Sequence, residues 1–589
     1  MPALTALQAA GAAATCDEVR TESDDVYWLE SRPRDNGRIS LMRLGNNNVP
    51  TEVTPSSANV GSVLHGYGGS AYAVDESRIW YIDSSDGHIR LISGSEVRVI
   101  VRRRNDREHY GDLTASSGRL WCVRETISGD ELVEIRTDGT SQVLARTTGF
   151  FGSPRPTVGG LAWLRWNADQ MPWDGSELVV AHYKGRELGA PTPVAGSPLE
   201  SVTQPCWGAD GRLWFVSDRT GWWNLYVWDG QRSDPVSPMA TDVAPAEWEA
   251  GYASYAPLPG GGVVMIAYDG PRHQLVVQDG SGLRPLGSSY TSYKPYLAVR
   301  RQQVLAVAAS PRQPPQVVTI DPGPRAHTRV LSRPAPTSTT TPLSQPQLVE
   351  VHTVSDTMVN VLLYPPTGAA AEWRAPLVVR AHPGPTASIN TRLDWHVQFL
   401  TSNGFAVADV DYRGSAGYGR AFRRSLYGHW GTAEVQDCTA VAQHLLDTGR
   451  IHPGRAFITG ASAGGYTALH AVSGPSVFAG AVARSAIIDP TRWRHTVPRW
   501  QRAHAAALLG PAGAVDPRAV NRPVLLIHGA DDHIAPIADV AALAAGLAEQ
   551  GRWHQLMILG RTGHRLSAQE EAAQALEAEV DFYRRVIAG

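Results

Sequence analysis

The chain has 589 residues and a mass of 63.5 kDa, too long for one hydrophobic core, so we expect two domains. Hydrophobic residues make up 43% of it and charged residues 19%, a balance typical of packed soluble domains that excludes a disordered chain. The net charge of −3 excludes a basic surface for a phosphate backbone, so we expect no nucleic-acid partner.

The cysteines and the N-terminal residues indicate the compartment. Four cysteines lie far apart and show no spacing typical of a disulfide framework or a metal site: Cys16, Cys122, Cys206 and Cys438. The first 19 residues lack a basic start and a strong apolar centre, and no apolar run reaches 18 residues. We therefore expect a cytoplasmic protein with no membrane partner, no metal and no organic cofactor.

A repeated unit occupies the first 330 residues: a short apolar or aromatic run, a polar turn, and a second alternating run, which together predict hairpins. Seven such runs are spaced 52, 41, 42, 51, 51 and 41 residues apart, close to the length of one four-stranded propeller blade. Their marker residues are Trp28, Trp80, Trp121, Trp163, Trp214, Met265 and Ala306. The spacing predicts a seven-bladed β-propeller over 1–335. A β-sandwich followed by another β domain is the alternative, but such a fold would not need the same apolar pattern to recur seven times.

The composition changes at 333–347, where four prolines stand among Ser and Thr, and we predict a linker over 336–347. Beyond it, β runs alternate with helical stretches such as 432–446 and 567–586. This alternation predicts a second domain over 348–589 that has a mostly parallel sheet with helices on both faces. The segment before the first blade is free to pack on that second domain.

The segment AFITGASAGGYTALH contains a G-x-S-x-G motif centred on Ser462. A β run precedes the motif and a helical run follows it, which is the strand–turn–helix context of the nucleophile elbow in α/β-hydrolases. A loop that is merely rich in Gly and Ser is the structural alternative. The context favours Ser462 as a nucleophile.

An α/β-hydrolase carries its acid after a later strand and its histidine after the next one. The run PVLLIHGADD offers Asp531 and Asp532, and QLMILGRTGH offers His564. The spacing does not separate the two aspartates, and either could instead cap the helix that follows. Of the competing histidines, His554 falls inside a β run and His533 is too close in the chain to the acid, so His564 is the candidate general base.

Further segments extend the likeness to a known family over nearly the whole chain: YWLESRP at 27–33, NADQMPWDG at 167–175, SDRTGWWNLY at 217–226, VDYRGSAGYGRAFR at 410–423 and HWGTAEVQD at 429–437. With GASAGG, HGADD and TGH, they show that the chain resembles the prolyl oligopeptidase family of serine peptidases, in its acylaminoacyl-peptidase-like branch. The resemblance implies a seven-bladed propeller followed by an α/β-hydrolase domain. It also implies that the acid stands three positions after the glycine of the HG pair, which selects Asp532.

The chain departs from the family at one motif, after the third hydrolase strand. Family members usually read HGGP there, whereas this chain reads HPGP, with Pro383 in second place. Because proline has no N–H, the resemblance implies that Gly384 supplies the amide that pairs with the Ala463 N–H in an oxyanion hole. A turn with only a structural role is the alternative.

Weaker candidates concern substrate binding. Trp493 follows the strand where this fold commonly builds the pocket for the residue before the scissile bond, although core packing is the alternative. Asp242 and Glu247, with Glu249, lie in an acidic propeller loop that could meet a substrate α-ammonium or simply be solvated. The basic stretch 492–499 could attract a substrate carboxylate or form a solvated face.

We therefore predict a serine peptidase that cleaves short peptides or small aminoacyl amides through an acyl-enzyme on Ser462, with His564 moving the proton and Asp532 orienting His564. The propeller is expected to exclude folded proteins. An esterase or a peptidyl-antibiotic amide hydrolase with the same three residues is one alternative, and a non-catalytic propeller binding protein is another. Exopeptidase and endopeptidase activity both fit these residues, and so does more than one oligomeric state.

Overall fold

The computed structural model describes residues 3–323, 326–332, 341–353, 356–367, 374–560 and 562–589. Within them the chain forms a seven-bladed β-propeller followed by an α/β-hydrolase domain, which confirms the predicted fold. The last propeller strand ends at Val330 and the first hydrolase strand begins at Gln347. The predicted linker 336–347 lies partly outside the described residues.

Each propeller blade is an antiparallel sheet of consecutive strands, with four strands in six blades and five in the fourth. The seven runs marked in the sequence each form the second strand of their blade. Because side chains alternate along a strand, these strands present apolar residues to the blades on both sides. One buried apolar cluster lies between each pair of neighbouring blades, and Trp28 shares a cluster with Leu305, which closes the ring between the first and last blades.

The propeller strands are, blade by blade, β1 (Cys16–Glu22), β2 (Asp25–Arg32), β3 (Arg38–Leu44) and β4 (Pro50–Glu52); β5 (Tyr72–Asp75), β6 (Arg78–Asp83), β7 (His88–Ser93) and β8 (Glu96–Val101); β9 (His109–Ser116), β10 (Arg119–Thr126), β11 (Gly129–Arg136) and β12 (Ser141–Thr147); β13 (Phe150–Thr157), β14 (Gly160–Trp166), β15 (Ser176–Lys184), β16 (Glu187–Leu188) and β17 (Thr192–Ser197); β18 (Val202–Trp207), β19 (Leu213–Ser217), β20 (Asn224–Trp228) and β21 (Ser233–Pro235); β22 (Tyr255–Pro257), β23 (Val263–Asp269), β24 (Arg272–Asp279) and β25 (Gly282–Pro285); β26 (Ser292–Arg300), β27 (Gln303–Ser310), β28 (Gln313–Ile320) and β29 (Thr328–Val330).

The hydrolase domain is built on one eight-stranded sheet, and nine α-helices occur among the described residues. The strands are β30 (Gln347–His352), β31 (Met358–Tyr364), β32 (Ala375–Ala381), β33 (Ala406–Asp411), β34 (Ile451–Ala461), β35 (Gly480–Arg484), β36 (Val524–Gly529) and β37 (His554–Leu559). The helices are α1 (Ala6–Gly11), α2 (Trp395–Ser402), α3 (Gly419–Arg424), α4 (Ala433–Asp447), α5 (Ala463–Ala471), α6 (Pro490–Thr496), α7 (Arg502–Leu508), α8 (Ile537–Glu549) and α9 (Gln569–Ala588). None of these helices is long and apolar enough to cross a membrane.

The sheet has the order β30-β31-β33-β32-β34-β35-β36-β37, and all the pairs from β33 to β37 are parallel. Its two faces are buried in separate apolar clusters, as the alternation of Val378 and Val379 along β32 shows. The helix α1 precedes the first blade, yet it packs on α9 in one of these clusters. Because the carboxyl ends of the parallel strands meet at one edge, the loops that follow them share one site.

A buried ion pair joins the two domains. Arg423, in α3, is fully buried; its Nη2 lies 2.9 Å from Asp218 Oδ2, and its guanidinium lies 3.8 Å from the ring centroid of Trp223. We expect Arg423→Ala to lower the free energy of unfolding by about 3 kcal/mol, because the Asp218 carboxylate stays buried with one cation fewer. The loss should appear as a lower melting temperature in calorimetry.

The neighbouring Arg424 provides a matched control. It is exposed, and its guanidinium lies 3.9 Å from the Asp174 carboxylate. Arg424→Ala should therefore change the free energy of unfolding by less than about 1 kcal/mol. Equal losses in the two variants would contradict a stabilising role for the buried pair.

Candidate active site

Ser462 lies on a sharp turn between β34 and α5, as the motif predicts. Its backbone has φ 53° and ψ −118°, a conformation that is strained for a residue with a side chain. A Cβ on Gly460 would lie 2.2 Å from the carbonyl oxygen of Gly464, and one on Gly464 would lie 2.3 Å from that of Ala381. The close approach of these backbones therefore requires glycine on both sides of the serine.

The structure separates the two candidate aspartates. Asp532 is buried, and its carboxylate oxygens lie 2.9 and 3.1 Å from His564 Nδ1, whereas Asp531 is exposed. Asp532 Oδ1 also accepts hydrogen bonds from the amides of Ile534 and Ala535, each at 2.9 Å. Burial opposes ionisation of Asp532, but the hydrogen bond and charge of His564, with the two amides, outweigh it and hold the pKa of Asp532 below its ordinary value.

Ser462 and His564 face the same cavity, which has a volume of about 820 Å³. Among the described residues no hydrogen bond joins their side chains directly. The cavity lies between the domains, because Tyr67 and Trp248 of the propeller line it together with the hydrolase loops. All three predicted residues of the Ser, Asp and His set are therefore brought to one place, with the serine and the histidine on the cavity wall.

The HPGP turn does not bring the two predicted oxyanion donors together in this conformation. The Ala463 N–H donates to the carbonyl oxygen of Pro383 at 3.2 Å. Because the C=O and N–H of one peptide unit point in opposite directions, the Gly384 N–H points away from the Ala463 amide. His382 holds the turn: its Nδ1 donates to the Gly384 carbonyl at 2.8 Å, and its ring stacks on Tyr412. Burial lowers the pKa of His382 to about 3, so the ring stays neutral.

Trp493, in α6, lines the cavity that Ser462 and His564 share. Its ring packs against Trp430 at a centroid distance of 5.9 Å, and its Nε1 donates to the carbonyl of Ile534 at 2.9 Å. The position is compatible both with a pocket wall and with core packing, the two interpretations that the sequence left open.

The structure corrects the predictions for Asp242 and Glu247. Asp242 is fully buried, and its carboxylate accepts hydrogen bonds from the amides of Trp223 and Gly419, which leaves no access for a substrate ammonium. Glu247 does not line the cavity; its carboxylate accepts a hydrogen bond from Thr203, and burial raises its pKa to about 7. Both carboxylates are internal because the loop folds inward between the blades and the hydrolase domain.

The same loop contains a cavity residue that the sequence did not single out. Trp248 stands between two glutamates and lines the cavity, with its Nε1 donating to Thr386 Oγ1 in the hydrolase domain at 2.9 Å. The sequence signal that was available for Trp248 is an aromatic side chain between two acidic residues. In the basic stretch 492–499, Arg499 forms an ion pair with Asp130 of the propeller, and Arg492 forms one with Asp539.

Comparison with known proteins agrees with this architecture. Residues 391–589 match the prolyl oligopeptidase family. A puromycin-hydrolyzing peptidase of Mycobacterium tuberculosis is 27% identical with a TM-score of 0.94, over 100% of this chain and 97% of that one. A puromycin hydrolase mutant complexed with PGG is 25% identical with a TM-score of 0.95, over 100% of this chain and 98% of that one.

The acylamino-acid-releasing enzyme of Sus scrofa is 26% identical over 229 residues, which are 36% of this chain and 31% of that enzyme. The chain is thus aligned with about a third of the length of its curated relatives. The family match contains Ser462, Asp532 and His564, and the structural similarity extends through the propeller. The hydrolase part of the chain, residues 391–589, therefore matches the prolyl oligopeptidase family, and the whole chain has the fold of the puromycin-hydrolyzing peptidase.

Proposed function

We propose that the chain is a serine peptidase that cleaves short peptides or small amides through an acyl-enzyme. The observation that carries this proposal is the hydrogen bond of His564 to the buried Asp532. His564 lines the same cavity as Ser462, which lies on a strained turn. A nucleophile, a general base and an orienting acid are the groups that acyl transfer requires.

In the proposed mechanism the Asp532 carboxylate accepts a hydrogen bond from the Nδ1–H of His564, so the lone pair of His564 lies on Nε2. Nε2 takes the proton of Ser462 as Oγ attacks the substrate carbonyl, and then gives it to the leaving amine. A water molecule activated by the same nitrogen hydrolyses the acyl-enzyme. Asp532 stays ionised throughout, in keeping with its lowered pKa, and stabilises the imidazolium.

The propeller limits substrate size in this proposal. Tyr67 and Trp248 cover the cavity from the propeller side, and Trp248 bonds across the domain boundary to Thr386. A peptide segment can occupy a cavity of about 820 Å³, whereas a folded domain cannot. Trp493 is proposed to line the pocket for an apolar residue before the scissile bond.

For the oxyanion hole we propose that the Pro383–Gly384 peptide rotates when substrate binds, which frees the Ala463 N–H and turns the Gly384 N–H toward it. Gly384→Pro should then lower kcat by about 10²- to 10³-fold with a smaller effect on KM, because the deleted donor acts chiefly when charge develops on the oxygen. Pro383→Gly should leave kcat within about tenfold. Steady-state kinetics on variants with unchanged melting transitions measures both, and near-normal kcat in Gly384→Pro would place the second donor elsewhere.

A second candidate reaction is hydrolysis of the amide bond of an aminoacyl nucleoside such as puromycin. It is favoured by the similarity to puromycin-hydrolyzing peptidases over essentially the full length of both chains. The chemistry is the same, because both substrates present an amide carbonyl to Ser462.

A substrate panel distinguishes the candidates. Aminoacyl, acyl-aminoacyl and dipeptidyl nitroanilides are assayed beside puromycin, and a fluorophosphonate probe reports whether Ser462 is reactive. We expect labelling of the wild-type protein and none of Ser462→Ala. Absence of labelling and of turnover on every substrate would contradict an acyl-transfer function and favour the propeller binding protein. A cytoplasmic location stays a prediction from the sequence, and the panel decides among aminoacyl, acyl-aminoacyl and dipeptidyl specificity.

A further inference from the structure

The cationic side chains of the catalytic cavity differ in how their charges are compensated. Five of them line it: Lys294, Arg380, Arg392, Arg484 and Arg565. Three of the five are in ion pairs. Those pairs are Lys294 with Asp17 at 2.5 Å, Arg380 with Asp394 at 2.7 Å and Arg565 with Glu249 at 2.9 Å. Two arginines are left without a carboxylate within 4 Å in the described parts of the chain.

Arg484 and Arg392 are not equivalent. Arg484 Nη2 lies 3.2 Å from His396 Nδ1, and His396 Nε2 lies 2.9 Å from a Glu579 carboxylate oxygen, so Arg484 is connected to a carboxylate through one ring. Arg392 has no such connection. Its side chain makes a single long hydrogen bond within the described residues, from Nη2 to Ser292 Oγ at 3.4 Å, and its Nε is buried without a partner.

Arg392 is partly buried in the cavity wall, and of the five N–H donors of its guanidinium only one makes a hydrogen bond to another described residue. Burial lowers the pKa of Arg392, and the charges of Asp17 and Asp394, which lie more than 4 Å away, offset only part of that effect. The side chain is nevertheless held in place, since its loop lies between β32 and α2 and reaches the propeller at Ser292. The guanidinium therefore has donors available for an anion, and no carboxylate of the described residues lies within 4 Å of it.

Arg392 lies close to the proposed substrate site. Arg392 lines the cavity of Ser462 and also a second cavity of about 580 Å³ between the domains, so it stands where the two meet. A peptide held at Ser462 and extending toward the second cavity would pass its guanidinium. Carboxylates match the planar donor pair of arginine in a bidentate contact.

We propose that Arg392 binds a carboxylate of the substrate, so that the preferred substrates are short peptides bearing an anionic group. The inference rests on the proposed peptidase function and names its substrate class. The carboxylate has two possible sources, the free C-terminus of the peptide or an acidic side chain, and both offer the same chemistry to the guanidinium.

Two matched pairs of fluorogenic peptides test the proposal and distinguish the sources. One pair differs only in a C-terminal carboxylate or carboxamide, and the other, blocked at its C-terminus, differs only in a Glu or Gln side chain. We expect wild-type kcat/KM to favour the anionic member of one pair by about 10- to 100-fold. In Arg392→Gln that ratio should fall close to one, and in Arg392→Lys it should be intermediate.

Arg312→Gln is the matched control, because Arg312 is an exposed arginine that contacts Gln345 and does not line the cavity. It should keep the wild-type ratio. A wild-type ratio near one in both pairs, or a ratio unchanged in folded Arg392→Gln and Arg392→Lys, would overturn the proposal.

Binding measurements separate this inference from the proposed function. Calorimetry with Ser462→Ala should show that the anionic peptide binds about 10- to 100-fold more tightly than its neutral partner, and that adding Arg392→Gln removes the difference. Selective binding without turnover in the wild-type protein would defeat the peptidase proposal and leave the carboxylate site standing. Turnover without selectivity in either assay would defeat the carboxylate site and leave the peptidase proposal standing.

Discussion

Ser462→Ala is expected to lower kcat by about 10⁴- to 10⁶-fold, because it removes the hydroxyl that the strained turn presents in the cavity that His564 also lines. Alanine has nearly the same backbone preferences as serine, so the turn between β34 and α5 should persist and the melting transition should not change. Turnover of the best nitroanilide in the panel measures the loss. A variant that kept a tenth of wild-type activity would show that Ser462 is not the nucleophile.

Ser485 offers a control for this substitution. It also lines the cavity, follows the end of β35, and has a positive φ of 42°, so Ser485→Ala repeats the same chemical change in a similar backbone conformation. Its kcat should stay within about tenfold of the wild-type value, because losing a hydroxyl outside the proposed set of three does not remove an acyl-transfer group. A loss as large as that of Ser462→Ala would point to a general disturbance of the site.

Asp532→Asn is expected to lower kcat by about 10³- to 10⁴-fold, because an amide does not hold His564 in the tautomer that leaves Nε2 free. The fold should be kept, since Asn Oδ1 can still accept the hydrogen bonds that Ile534 and Ala535 donate to Asp532. The kinetics are read beside the melting transition, and fluorophosphonate labelling of Ser462 should slow by a comparable factor.

The adjacent Asp531→Asn is the matched comparison. Asp531 is exposed and no hydrogen bond joins its side chain to His564 in the described residues, so we expect a loss of less than about threefold. Equal losses, or a larger loss in Asp531→Asn, would mean that the acid had been placed one residue too late.

The features that the sequence determined by itself are those that rest on local pattern. The seven blades could be predicted because each second strand must present apolar side chains to two neighbours, and this requirement repeats at 41 to 52 residues. The turn at Ser462 could be predicted because close backbone approach demands glycine at positions that a motif records directly. The order of serine, acid and histidine follows in the same way from the ends of successive strands.

Only the tertiary structure decided which side chains of a loop are buried and which face the cavity. Spacing left Asp531 and Asp532 equal, and burial beside His564 distinguished them. In the acidic propeller loop the sequence left the carboxylates as either substrate contacts or solvated groups, but the fold turns Asp242 inward and Trp248 toward the cavity. The sequence did not distinguish Arg392 from the other arginines. The fold places it between the two domains with no carboxylate of the described residues within 4 Å, because compensation of charge depends on residues that are distant in the chain.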